Sequence, residues 1–259
     1  VTHFQPLYSI AGLFVGLLVG MTGVGGGSLM TPLLVLAFGF HPSTAVGTDL
    51  LYAAATKTVG TGVHGAGRSI DWKVVRRLAT GSIPATVITL LVLAHVGANL
   101  NSTGHVISLT LGCALLATAV AILFRTQILR FFARNTAPRP DRQVAVLTVL
   151  LGIGLGVLVS LSSVGAGALG MTVLLVLYPQ LPTNRLVGSD IAHAVPLTLI
   201  AGAGHWLLGS IDFSLLGALL LGSVPGIIVG SLIANRVPDH VLRPILAGTL
   251  AIVGGKLVF

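Results

Sequence analysis

Charge is what this chain has least of. Asp, Glu, Lys and Arg make up 8% of its 259 residues, against about 25% in an ordinary soluble domain. So few charged groups cannot cover a globular surface. With 54% hydrophobic residues and a mean hydropathy of +1.00, a free water-soluble body is excluded. Apolar stretches recur from end to end, several near the roughly 20 residues that cross a bilayer. The sequence therefore predicts an all-α polytopic membrane protein. Cysteine is nearly absent too: Cys113 has no second cysteine for an intrachain disulfide and, set in an apolar run, reads as a small packing residue. The opening VTHFQPLYS has no basic region and no cleavage site, so no signal peptide is expected. Glycine (34) and proline (12) are plentiful instead, as they are in membrane helices.

The net charge of +8 invites a nucleic-acid partner until the charges are located. Arg68, Lys73, Arg76 and Arg77 lie in one loop region, and Arg125, Arg130, Arg134, Arg139 and Arg142 in a second. The loops around 39–43, 97–103 and 208–212 hold no Lys or Arg. This asymmetry is the positive-inside pattern, with the basic loops cytoplasmic and the lipid bilayer, not nucleic acid, as the partner. Helices are expected over 44–63, 73–96, 104–125, 143–161, 167–178, 184–207, 214–234 and 239–259, with short apolar segments before the first of these.

The chain also repeats itself. HGAGRSIDW (64–72) lies over HWLLGSIDF (205–213), an offset of 141 residues. At the same offset Gly47-Thr48-Asp49 meets Gly188-Ser189-Asp190, and Gly81-Ser82-Ile83-Pro84 meets Gly222-Ser223-Val224-Pro225. The register carries Asp, His, Ser and Pro as well as glycine, so it marks two repeats. The first copy of the SID loop is basic and the second is not, which points the copies in opposite directions through the membrane. The expected fold is two inverted-topology repeats, each a Gly-broken helical hairpin followed by three transmembrane helices. They occupy 1–125 and 143–259, joined by an Arg-rich cytoplasmic linker over 126–142.

Residues 22–34 read TGVGGGSLMTPLL, and SSVGAGALGMTVLL (162–175) matches them with one extra residue. Each glycine costs about 1 kcal/mol in a helix interior, so both clusters mark breaks. Non-helical backbone at membrane depth must be enclosed in protein or line a wet cavity. A break that starts a new helix also presents free N–H groups at the positive end of a helix dipole, an anion site that needs no lysine. The candidate substrate contacts are therefore Thr22, Gly25, Gly26, Gly27, Ser28, Ser162, Ser163, Gly165 and Gly167. Glycines that only permit close helix crossing are the competing reading. Lys57, a cation inside a predicted span, joins the substrate set, with snorkelling to the interface as its alternative. Asp49 and Asp190, with Thr48, Ser189 and His193, are candidate ion-coupling residues, against a local role for the aspartates in complementing the helix dipole.

Other polar residues read as structural. Asp71 and Asp212 suit helix caps, and Pro84 and Pro225 suit kinks or packing. No Cys/His/carboxylate spacing suggests a metal, and no nucleophile–base set suggests an enzyme. The pattern GAGALG follows a membrane helix rather than a strand, which rules out a dinucleotide fingerprint.

Taken together, GVGGGSLMTPLL, AVGTDLLYAAATK, HGAGRSIDW with GSIPA, and their second-half echoes GSIDF and GSVPGIIVGS resemble the TauE/SafE family of sulfite exporters over nearly the whole chain. The resemblance implies a secondary transporter of the bacterial inner membrane, a multi-pass protein without a cofactor, driven by a proton or sodium gradient. Its substrate would be a small anion, with sulfite export the leading reading and an organosulfonate or small carboxylate permease, or an anion channel, as alternatives. A homo-oligomer is compatible with it. Many members have an uncharged residue where this chain has Asp49 and Asp190, and its second glycine cluster lacks the triple glycine.

Overall fold

A computed structural model describes residues 6–22, 27–66, 70–96, 100–135, 140–165, 167–233 and 239–258. Among these the only regular elements are α-helices. The elements are α1 (Pro6–Thr22), α2 (Gly27–Leu36), α3 (Pro42–Ala66), α4 (Trp72–Val96), α5 (Leu100–Leu123), α6 (Arg125–Asn135), α7 (Asp141–Ser162), α8 (Ala168–Leu177), α9 (Thr183–Leu207), α10 (Phe213–Ile233) and α11 (Asp239–Val258). Among the described residues four helices are long and apolar enough to cross a membrane, five if α5 and α6 count as one span bent by 68°. The stretches around residues 22–27 and 162–168 that the glycines mark are where α1 gives way to α2 and α7 to α8.

Neither half packs mainly on itself. α1 lies along α10, α7 along α4, α3 along α9 and α5 along α11, so every major helix pair joins an element before residue 125 to one after residue 140. Small residues set the closeness of these pairs. A Cβ on Gly222 of α10 would run into the backbone of Ser9 on α1, and one on Gly81 of α4 into the backbone of Val149 on α7. The two glycines are 141 residues apart, and each lets backbone rest on backbone, the way membrane helices gain packing without a hydrophobic driving force. Ser9 adds a hydrogen bond of 2.8 Å to the Ala218 carbonyl across the α1–α10 seam.

The apolar core follows the same exchange. Val15, Met30, Leu34, Ala45, Tyr52, Leu215 and Leu219 form one cluster between α1, α2, α3 and α10. Val74, Leu78, Leu155, Met171, Leu174 and Leu186 form another between α4, α7, α8 and α9. The lipid side is read from exposure: Ile88, Leu91, Leu150, Leu221 and Ile228 stand outward. The α9 span is 61% buried, whereas those of α4, α7 and α10 are 33–39% buried, so α9 is the innermost of the four. α3 beside it is 25 residues long yet rich in Thr and carries Asp49 and Lys57; a neighbour rather than lipid must cover it.

Three details differ from the sequence reading or extend it. Cys113 is exposed rather than packed. The segment read as a linker contains α6, an amphipathic helix. Pro84 and Pro225 sit inside continuous helices α4 and α10. The cap reading of the SID loops holds: Asp71 Oδ1 accepts the N–H groups of Lys73 (3.0 Å) and Val74 (3.3 Å), and Asp212 Oδ1 that of Leu215 (2.9 Å).

Candidate functional site at the crossing of α3 and α9

Two hydrogen bonds fix how α3 and α9 lie. Thr48, near the start of α3, accepts the Asp212 N–H just past the end of α9 (3.2 Å). Ser189, near the start of α9, accepts the Asp71 N–H just past the end of α3 (2.7 Å) and donates to Arg185 O (2.7 Å). Each helix begins where the other ends, so the two run antiparallel. The bonds are the same bond twice, since Thr48 and Ser189, and Asp71 and Asp212, are 141 apart. Their hydroxyls are thereby committed to loop backbone.

On the very next residue of each helix, a carboxylate is withdrawn from water. Asp49 is fully buried and Asp190 is 4% exposed. Asp49 Oδ2 accepts a hydrogen bond from Thr31 on α2, while Asp49 Oδ1 and Asp190 Oδ1 have no hydrogen-bond partner. Lys57, half-buried and about 12 Å along α3 from Asp49 by helical rise, exerts its charge on Asp49, on Asp190 and on His193. Two carboxylates and one ammonium therefore share the crossing.

The second break enters here. Ser163 closes α7 in the left-handed conformation (φ 58°), its N–H returning 2.7 Å to Val159 O, a cap ordinarily given to glycine. Gly165 (φ 123°) and Gly167 (φ 146°) follow with backbone that a side chain would strain. The Ser163 hydroxyl comes beside the Asp49 carboxylate, although it completes no hydrogen bond. Ser162 instead serves the corner itself, donating to Leu158 O (2.7 Å) and accepting from Val164 N–H (3.2 Å). At the head of α8, a Cβ on Gly170 would stand 3.1 Å from Asp190 Oδ1, so that carboxylate lies against the first turn of the half-helix. The first break is less informative: Gly25 and Gly26 lie outside the described residues, as do the side chains of Thr22 and Ser28, and Gly27 is described only as the first residue of α2.

A further pair links the halves. His193 Nε2 and Ser82 Oγ of α4 are 2.7 Å apart, both fully buried. The equivalents at the 141 offset are Tyr52 and Ser223 of α10, whose hydroxyls lie side by side without completing a bond. His205, buried near the end of α9, meets Ser160 O at 2.9 Å and is a packing residue. No group of three or more His, Cys, Asp or Glu among the described residues is placed to hold a metal.

A helical bundle with buried carboxylates is common to many carriers, and comparison with known proteins narrows it. The family model of the sulfite exporter TauE/SafE matches residues 8–257. The chain belongs to the TauE/SafE family. It is 38% identical over 254 residues to the probable membrane transporter protein YjnA of Bacillus subtilis, covering 96% of this chain and 98% of that one. It is 29% identical to the probable membrane transporter protein YdhB of the same organism, over 78% and 79% of the two chains. It is also 25% identical to the probable membrane transporter protein MJ0441 of Methanocaldococcus jannaschii, over 80% and 74%. No solved structure matches.

Within this TauE/SafE chain, sequence reasoning missed Thr31, Tyr52, Ser82 and Ser223. The signals were present. Tyr52 is three residues after Asp49 on the same helix face, in the slot that His193 fills in the second half. Ser82 and Ser223 sit in the matched GSIP and GSVP segments, where the prolines drew attention and the serines make the contacts.

Proposed function

We propose that this chain exports a small sulfur-containing oxyanion, sulfite in the first instance, across the bacterial inner membrane, coupled to a proton or sodium ion. The substrate is held between inverted repeats over 1–125 and 143–259, at the breaks near residues 22–28 and 162–168. One repeat bundle rocks against the other to expose it on either side. The observation that carries this reading is the meeting of the second break with α3: Ser163 lies beside Asp49, a residue of the other half. A site shared by both halves is what alternating access requires. The antiparallel α3 and α9, tied by equivalent bonds at Thr48 and Ser189, support the inverted orientation.

The electrostatics favour coupled binding. An anion approaching Asp49 and Asp190 is repelled unless a cation neutralises one carboxylate; Lys57 and the N–H groups at the head of α8 then attract it. Each bound ion strengthens the other's binding. A doubly charged oxyanion leaving with one proton carries one net negative charge outward, and a potential of about 100 mV, negative inside, favours that by about 2.3 kcal/mol. The chain is read as a carrier and not as an enzyme.

The test is flux of labelled sulfite in proteoliposomes under imposed pH and sodium gradients, with organosulfonates and small carboxylates as competitors. Saturable sulfite flux that responds to one gradient supports the proposal. A sulfonate or carboxylate that displaces sulfite and is itself carried transfers the site to that anion. No flux of any of them contradicts the reading.

A further inference from the structure

We infer that the coupling ion is a proton carried by Asp49, bound on Oδ1 and donated to Ser163 Oγ at the corner between α7 and α8. This rests on the carrier reading above and names the ion and its seat. In the binding step a proton from water adds to the Asp49 carboxylate. The acid O–H turns to the Ser163 hydroxyl oxygen, and Thr31 continues to donate to Oδ2.

Three independent features converge on that oxygen. Asp49 Oδ1 and Ser163 Oγ are both buried and both without a hydrogen-bond partner, and Ser163 comes beside the Asp49 carboxylate. Ser163 caps the carboxyl end of α7, the negative pole of that helix, which repels a carboxylate and welcomes a positive charge. The charges that share Lys57 are also one positive charge short. Tyr52 and Lys57 face Asp49 from its own helix, while Asp190 and His193 on α9 come under the same lysine. Thr31 on α2 and Ser163 carry no charge; Ser223 and Ser82 stand behind Tyr52 and His193 on α10 and α4. Asp49, Asp190 and Lys57 sum to minus one at a depth where net charge is costly. A proton needs a single oxygen and a single acceptor, which the Asp49–Ser163 pair supplies; a sodium ion needs several oxygens around it.

The seat joins α3 of one half to the break of the other. Gaining or losing the proton changes whether those two elements are tied, which is how an ion at this position would bias the rocking motion.

The chain has only six acidic residues, so infrared spectroscopy can read this directly. The full-length protein in lipid nanodiscs is titrated in potassium chloride with no transport substrate present. The C=O stretch of a buried carboxylic acid is expected to appear as pH falls. Asp190 is buried as well, so both carboxylates are compared: the Asp49 band should vanish in Asp49→Asn, remain in Asp190→Asn and change frequency in Ser163→Ala, which leaves the acid but removes its acceptor. A spectrum that Asp49→Asn leaves at full strength, a band that stays unmoved in Ser163→Ala, or no band in the wild type overturns the inference. So does loss of the band when sodium chloride replaces potassium chloride at fixed pH, since sodium is then the occupant. Because no sulfite is involved, failure of the substrate reading leaves this result standing, and the converse holds.

Discussion

The two halves place the same skeleton around different chemistry. Ser82 finds an imidazole at His193, whereas Ser223 finds a phenol at Tyr52; Lys57 in the first half is matched by Thr198 in the second. What is equal between them is structural: the Thr48 and Ser189 bonds to the SID loops and the glycines at the α1–α10 and α4–α7 seams. What differs is ionisable. The comparison teaches that the equivalent residues maintain the frame, and that the ionisable departures from equivalence gather where α3 crosses α9.

The equal part is broken most severely. Gly222→Val and Gly81→Val each force a side chain into facing backbone, and both should lose about 3 kcal/mol or fail to fold, by the usual cost of overpacking. Gly154→Val, with open space around its added Cβ, should leave the melting temperature in detergent unchanged. A large difference between the two seam variants would break the equivalence.

The unequal part should appear in transport. Asp49→Asn and Asp190→Asn are expected to cut sulfite flux by about tenfold or more, the equivalent of about 1.4 kcal/mol, at wild-type expression. Lys57→Thr makes the halves alike at this position, and the apparent affinity for sulfite should fall by about tenfold, as for one lost charge-assisted contact. Unchanged affinity would separate Lys57 from the substrate. The last effects, on stability and not on flux, sharpen the serine pair. Ser82→Ala orphans the buried His193 ring nitrogen and should destabilise by about 1–2 kcal/mol. Ser223→Ala removes a contact that is not a completed bond and should cost less, which paired thermal melts would resolve.

Much of the frame was legible in the residues. Eight apolar segments matched helices to within a few positions because lipid-facing faces must be apolar at every turn. The SID loops announced their capping role through Asp71 and Asp212. α6 was not legible as a helix, because its arginines dominated the reading of a segment whose Ile128, Leu129 and Phe132 fall on one helical face. The site was half legible. Asp49, Asp190 and Lys57 stand out as ionisable groups in apolar runs, but Ser163 facing Asp49 depends on one half's break reaching the other half's helix, and no local pattern encodes that contact. Ser189 and Thr48 looked like ion ligands for the same reason; only the fold reveals that loop amides claim their hydroxyls.

The central claim is that one site, built by both halves around Asp49, binds a small oxyanion together with a cation. Currents recorded from proteoliposomes on a solid-supported membrane during sulfite jumps test it most directly. The account predicts a wild-type current that saturates with sulfite, has the sign of net negative charge entering the protein, and is lost in Asp49→Asn. A wild-type membrane that stays silent, or an Asp49→Asn current equal to the wild type, would contradict it.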